Sequence, residues 1–123
     1  MNSVAIDSKH FIEEYFNALS GQPKTEELLE EYISDPGLKD HIRVVEAAFP
    51  NYELIPNLIV SEAGLVAARC IFRGIHKGEF AEIPPTGKQV SADVMIFYRI
   101  SEGRIAEHWL QLDTAGLIGQ LTK

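Results

Sequence analysis

Gln89-Val90-Ser91-Ala92-Asp93-Val94-Met95-Ile96-Phe97-Tyr98-Arg99-Ile100 is the stretch whose reading decides the fold. Successive side chains of an extended chain point to opposite sides, so Val90, Ala92, Val94, Ile96 and Tyr98 share one face. Ser91, Asp93, Met95, Phe97 and Arg99 share the other. A strand with one apolar face needs strand partners beside it and a layer to cover that face. Downstream, Glu102-Gly103 is a hairpin turn and Arg104 to about Leu112 is the returning strand, after which Ala115 to Leu121 reads as a short helix or tail. Upstream, Lys77 to Lys88 is a loop holding Pro84-Pro85-Thr86-Gly87, and Leu65 to His76 is a long strand in which Gly74 permits a bulge. Ala63-Gly64 turns the chain, and Tyr52 to Glu62 is a further strand whose Pro56 suits a sheet edge or a bulge.

Before Asn51 the period is helical. Phe11, Ile12, Tyr15, Phe16 and Leu19 mark one amphipathic helix, with Asp7 or Ser8 able to cap its start and Ser20-Gly21 closing its end. After Pro23, Leu28, Leu29, Tyr32 and Ile33 share one face of a short helix, while Glu26, Glu27, Glu30 and Glu31 form a solvated one. Asp35-Pro36 supplies a cap followed by proline at the first helical position. Leu38, His41, Ile42, Val45 and Phe49 are then the inner stripe of a third helix, which Pro50-Asn51 ends. The sequence therefore predicts a single α+β domain over residues 1–123, with N-terminal helices packed in the concave face of a curved antiparallel sheet that curls into an open cone.

The chain has 123 residues, 46% of them hydrophobic and 24% charged, a composition that supports a core without metal or disulfide. A net charge of −7 argues against nucleic acid or an anionic membrane surface as partner. The expected partner is an apolar small molecule held inside the cone. Met95, Phe97 and Trp109 make the other sheet face too apolar for free solvent, so a homodimer through that outer face is expected. The lone Cys70 sits among apolar neighbours and reads as a small buried hydrophobe. With no apolar run near Met1 and no membrane-length segment, the expected location is cytoplasmic.

Four ordered motifs carry a resemblance that spans nearly the whole chain. They are Ala47-Ala48-Phe49-Pro50; Phe72-Arg73-Gly74-Ile75-His76-Lys77-Gly78-Glu79-Phe80; Ile83-Pro84-Pro85-Thr86-Gly87; and Tyr98-Arg99-Ile100 through Gly103-Arg104-Ile105-Ala106-Glu107-His108-Trp109. Together they resemble the SnoaL-like polyketide cyclases, also called predicted ester cyclases, of the nuclear transport factor and ketosteroid isomerase superfamily. The resemblance implies an α+β cone, usually dimeric, with an apolar cavity and no cofactor. It also implies an intramolecular aldol ring closure in which a carboxylate moves the proton beside a carbonyl. Here the position of that carboxylate, two residues after the final-strand histidine, is Leu110.

The candidate chemistry therefore starts elsewhere. His108 alternates with Leu110 and Leu112 toward the cone and is the leading acid/base, since imidazole titrates near neutrality. The alternative is a buried histidine satisfied by a neighbour. Asp113 is the nearest carboxylate, but strand parity sets it on the opposite face, and an N-cap is its simplest role. His41, on the inner stripe of the third helix, faces His108 across the cavity as a polar partner or docks its helix. Tyr15 and Tyr98 place hydroxyls on core faces, where they pack or orient a ligand carbonyl. Phe80 and Ile83 make a lip over the pocket, and His76 holds that loop. The histidines lack metal-ligand spacing, and nucleotide or phosphate motifs are missing, so neither metal nor cofactor is expected. A cavity without a carboxylate at position 110 also fits a binding module with no catalysis.

Overall fold

The computed structural model describes residues 3–123, with side chains described from Ser8 onward. Helices α1 (Ser3–Leu19), α2 (Glu26–Tyr32) and α3 (Pro36–Ala48) precede strands β1 (Glu53–Glu62), β2 (Leu65–Ile75), β3 (Gln89–Ser101) and β4 (Arg104–Leu112), and α4 (Thr114–Leu121) closes the chain. The strands form one antiparallel sheet in the order β1-β2-β3-β4, so each neighbours its predecessor in the chain. Both tight hairpins have the left-handed residue pairs that match strand twist: Ala63 and Gly64 at φ 50° and 81°, Glu102 and Gly103 at 52° and 77°.

The alternation of β3 comes out as a strict inward and outward split. Val90, Ala92, Val94, Ile96 and Tyr98 are buried against Ile12, Tyr15, Phe16 and Leu19 of α1 and Leu38, Ile42 and Val45 of α3. Helix α3 starts as its sequence predicts: Asp35 Oδ1 accepts from the Gly37 amide at 2.9 Å, and Pro36 occupies the first turn. Thr25 caps α2 in the same way, through the Leu28 amide. The acidic face of α2 is exposed but also tied down. Glu26 pairs with Arg43 of α3, and Glu30 with Lys39 of α3 and Arg104 of β4. Cys70 is fully buried, and burial pushes its thiol up to about 12, which leaves it an inert space-filler.

Two local expectations are corrected. Helix α1 begins at Ser3, so Ser8 lies inside it as a buried residue rather than capping it; the side chain of Asp7 falls outside the described residues. Gly74 carries no bulge, because β2 and β3 stay in register from Leu65 to Ile75. Its missing side chain serves a close approach: a Cβ there would come within 2.9 Å of the Phe49 Cβ. The bulges lie between Pro56 and Leu58 on edge strand β1, as the proline suggests, and between Arg99 and Ile100. Among the described residues no helix is long and apolar enough to cross a membrane.

Candidate active site

The concave face of the sheet and helices α1, α3 and α4 enclose a cavity of about 40 Å³. That is room for a few waters and far less than a bicyclic ligand fills. The wall is apolar apart from Tyr15, His41, Tyr52 and Tyr98, and Leu110 and Phe80 contribute to it. Register explains why β4 supplies part of it. Leu112 pairs with Val94, Leu110 with Ile96 and His108 with Tyr98, so all three β4 side chains share the face that buries the β3 core.

His108 is the next inward residue after Leu110 and lies outside the cavity wall, partly exposed. Its Nδ1 is 2.7 Å from Oδ2 of Asp35. The same carboxylate therefore does two things, because its other oxygen caps α3. Burial alone would raise the Asp35 carboxyl, but hydrogen bonds from His108 and from the Gly37 and Leu38 amides outweigh that and hold it below the ordinary aspartate range. An ionised Asp35 can only accept, so Nδ1 of His108 carries the proton. In the neutral ring Nε2 is then the basic nitrogen. The arrangement is a carboxylate that fixes a tautomer and steadies the imidazolium that would form on proton uptake.

His41 lines the cavity from α3. Burial first, and the charge of His108 second, depress its pKa, so at neutral pH it is an uncharged polar group. Tyr15 and Tyr98 are buried together, with ring centroids 5.8 Å apart and edge to face. Burial raises both phenols well above their usual value. Tyr52 packs on Phe72, and its ring also receives the buried ammonium of Lys24.

The loop between β2 and β3 is anchored at its base. His76 is fully buried and its Nδ1 accepts from the Thr86 amide at 3.1 Å, while its ring stacks on Phe49. Lys77 and Gly78 donate their amides to the Ala48 carbonyl at 3.0 and 3.1 Å, which seats the loop on the end of α3. A Cβ on Gly78 would overlap the Ala47 carbonyl oxygen. Phe80 then reaches the cavity wall, and Ile83 pairs with it through the backbone at the loop tip without lining the cavity.

The sequence-predicted residues therefore divide. Tyr15, His41, Tyr98 and Phe80 meet around the cavity, and His108 stands beside it. Asp113 does not join them: its exposed carboxylate accepts from the Gly116 amide at 3.0 Å and caps α4. The residue that sequence reasoning missed is Asp35. Its signature as a helix cap was legible and accounts for one oxygen. What the second oxygen meets depends on how α3 lies across β4, and no local pattern records that.

A family model described as SnoaL-like polyketide cyclase matches residues 11–121. Among curated proteins no sequence matches. Solved structures do. AclR of Streptomyces galilaeus, described as a candidate hydroxylase, superposes with a TM-score of 0.82 at 22% identity, covering 96% of this chain and 82% of that one. A SnoaL-like polyketide cyclase from Agrobacterium tumefaciens gives 0.75 at 22% identity over 93% and 97%. IdmH of Streptomyces antibioticus, described as a candidate polyketide cyclase, gives 0.72 at 27% identity over 95% and 97%.

Proposed function

The chain belongs to the SnoaL-like polyketide cyclase family, and on that footing we propose that it binds a small apolar ketone or ester and moves the proton α to the carbonyl without a cofactor. His108 is the acid/base in this reading. The observation that carries it is the 2.7 Å contact between His108 Nδ1 and Asp35 Oδ2, which leaves Nε2 available as a base of fixed tautomer. Leu110 cannot serve, and Asp113 is engaged as a cap. The C–H electron pair becomes the enolate double bond, the carbonyl π pair moves to oxygen, and the proton goes to Nε2. Attack of that enolate on a second carbonyl of the same molecule, with return of the proton, would close a ring. Tyr15, His41, Tyr98 and Phe80 contact the ligand in this proposal, and Ile83 supports Phe80.

The test is exchange of the α-protons of acetophenone in D₂O, followed by proton NMR. The protein should accelerate exchange, and His108→Gln should remove the acceleration. Acceleration that survives the substitution would rule His108 out. Leu110 favours a second reading, a binding module of the same fold: a protein that holds acetophenone without any exchange would match it.

We further propose that two copies pair through the convex sheet face. The support is a row of Val60, Ala67, Phe97 and Trp109, one residue from each strand, that crosses the sheet in register. Phe97 and Trp109 remain roughly half exposed, at 47% and 49%. The charges around the row are internally paired, Arg69 with Asp93 and Arg99 with Glu107, which suits a neutral, self-complementary partner over a charged one.

A further inference from the structure

Gly37 is the second residue of α3 and is exposed. Glycine weakens a helix because it has the most backbone freedom to lose, so its presence there calls for a reason. Backbone shape is not that reason: Gly21, Gly64, Gly87 and Gly103 have positive φ, and Gly37 does not. The reason lies in the space beside it. A Cβ on Gly37 would stand 3.8 Å from Cε1 of His108 and 3.3 Å from Oδ1 of Asp35. Cε1 is bonded to both ring nitrogens, so a side chain here would lie against the imidazole edge that carries them. Nδ1 on that edge is already taken by Asp35, and Nε2 is the nitrogen that gains from the free volume.

His108 stands outside the wall of a cavity of about 40 Å³, with 21% of its side chain exposed. A carbon that gives its proton to Nε2 must come within hydrogen-bond reach of it, so the reacting carbon sits at the rim. Leu38, the next residue along α3, is buried and lines the wall, so wall gives way to rim at this glycine. We infer that Gly37 is a specificity-determining residue: by carrying no side chain it keeps open the approach to His108 Nε2 from solvent. The site thereby admits a ketone or ester whose reacting α carbon bears a substituent too large for the cavity. That substituent passes over Gly37, beside the ionised Asp35, which favours an uncharged group over an anionic one.

Gly37 acquires this role only if His108 is the base of the proposed function, so one readout is kept independent of catalysis. Diethyl pyrocarbonate acylates an accessible, unprotonated imidazole nitrogen, which in His108 is Nε2. His10, 70% exposed, is an internal standard in the same chain. Peptide mass spectrometry should find His108 acylated in the wild type. Relative to His10 it should react about tenfold more slowly in Gly37→Ala, the low end of what one methyl group decides in a pocket, and more slowly still in Gly37→Leu. In Gly37→Ala, α-proton exchange of butyrophenone, whose α carbon bears an ethyl group, should fall about tenfold more than that of acetophenone. Nitrogen-15 NMR should find Nδ1 of His108 protonated in all three proteins. A wild-type His108 that resists the reagent, an unchanged ratio of His108 to His10 in both variants, or equal slowing of the two ketones would overturn the role. So would a mixture of tautomers in Gly37→Ala, because the glycine would then serve the Asp35 cap. If the wild type exchanges neither ketone, proton transfer by His108 is removed, while the reagent still decides whether Gly37 opens Nε2.

Discussion

Asp35 Oδ2 lies 2.7 Å from His108 Nδ1 although 73 residues separate the pair in sequence. One side chain thereby joins the start of α3 to the inward face of β4. Substitution can separate its two duties, because asparagine is as good a helix cap as aspartate but carries no charge. Asp35→Asn should leave denaturant stability within about 0.5 kcal/mol and slow acetophenone α-proton exchange about a hundredfold. Nitrogen-15 NMR should report Nδ1 of His108 as the protonated nitrogen in the wild type and a mixture of tautomers in the variant. Full exchange activity in Asp35→Asn would disprove the pairing's role.

The depressed pKa of His41 has a signed consequence for stability. The ordinary value is 6.5, and burial followed by the charge of His108 lowers it in the folded chain. Between the folded value and 6.5 the unfolded chain binds more protons, so stability increases with pH across that window. Asp35 acts in the same direction lower down: its stabilisation is present above the ordinary carboxyl value of 3.8 and is lost as pH falls through the depressed folded value. The melting temperature should therefore drop on going from about pH 7 to about pH 5, and His41→Gln should flatten the drop. Calorimetry that finds the same slope in both proteins would exclude His41 as its source.

Gly78→Ala tests how the loop is seated. A Cβ there meets the Ala47 carbonyl, backbone that cannot swing aside, so the loop must lift from α3 and release the Ala48 carbonyl. The cost should be about 1–3 kcal/mol in urea unfolding, as for other overpacked sites. Tryptophan is remote from this loop, so unfolding is best followed by far-ultraviolet circular dichroism. Unchanged stability would mean the loop is not held there.

The convex face predicts an assembly state. Sedimentation equilibrium should find twice the 13.7 kDa of one chain. Phe97→Asp should return the protein to a monomer, because a charge replaces a ring at the centre of the row. A monomeric wild type at micromolar concentration would end the proposal.

The sequence was most informative where physics is local. Alternation over Val90 to Tyr98 predicted which side chains are buried, and Pro56 marked the edge strand and its bulge. Asp35-Pro36 marked the start of α3. It was least informative where two distant elements meet. Gly74 looked like a bulge and is instead a contact point for Phe49. Asp113 looked available and is a cap, whereas Asp35 looked like a cap and is also the partner of His108. Short-range patterns account for one hydrogen bond of a side chain at a time, and the second partner of a carboxylate is set by packing.

The cavity of about 40 Å³ also constrains the order of events in ligand capture. A ketone cannot enter a space that admits only water, so the wall must part first, with Phe80 on its loop the side chain least embedded in a helix or strand. When opening precedes entry, the association rate stops rising once ligand is abundant and levels off at the opening rate. The measured affinity is then the affinity of the open form multiplied by the small fraction of time it exists. Occupancy would thus be governed as much by how firmly Ala48, Gly78 and His76 moor the loop as by anything the ligand touches.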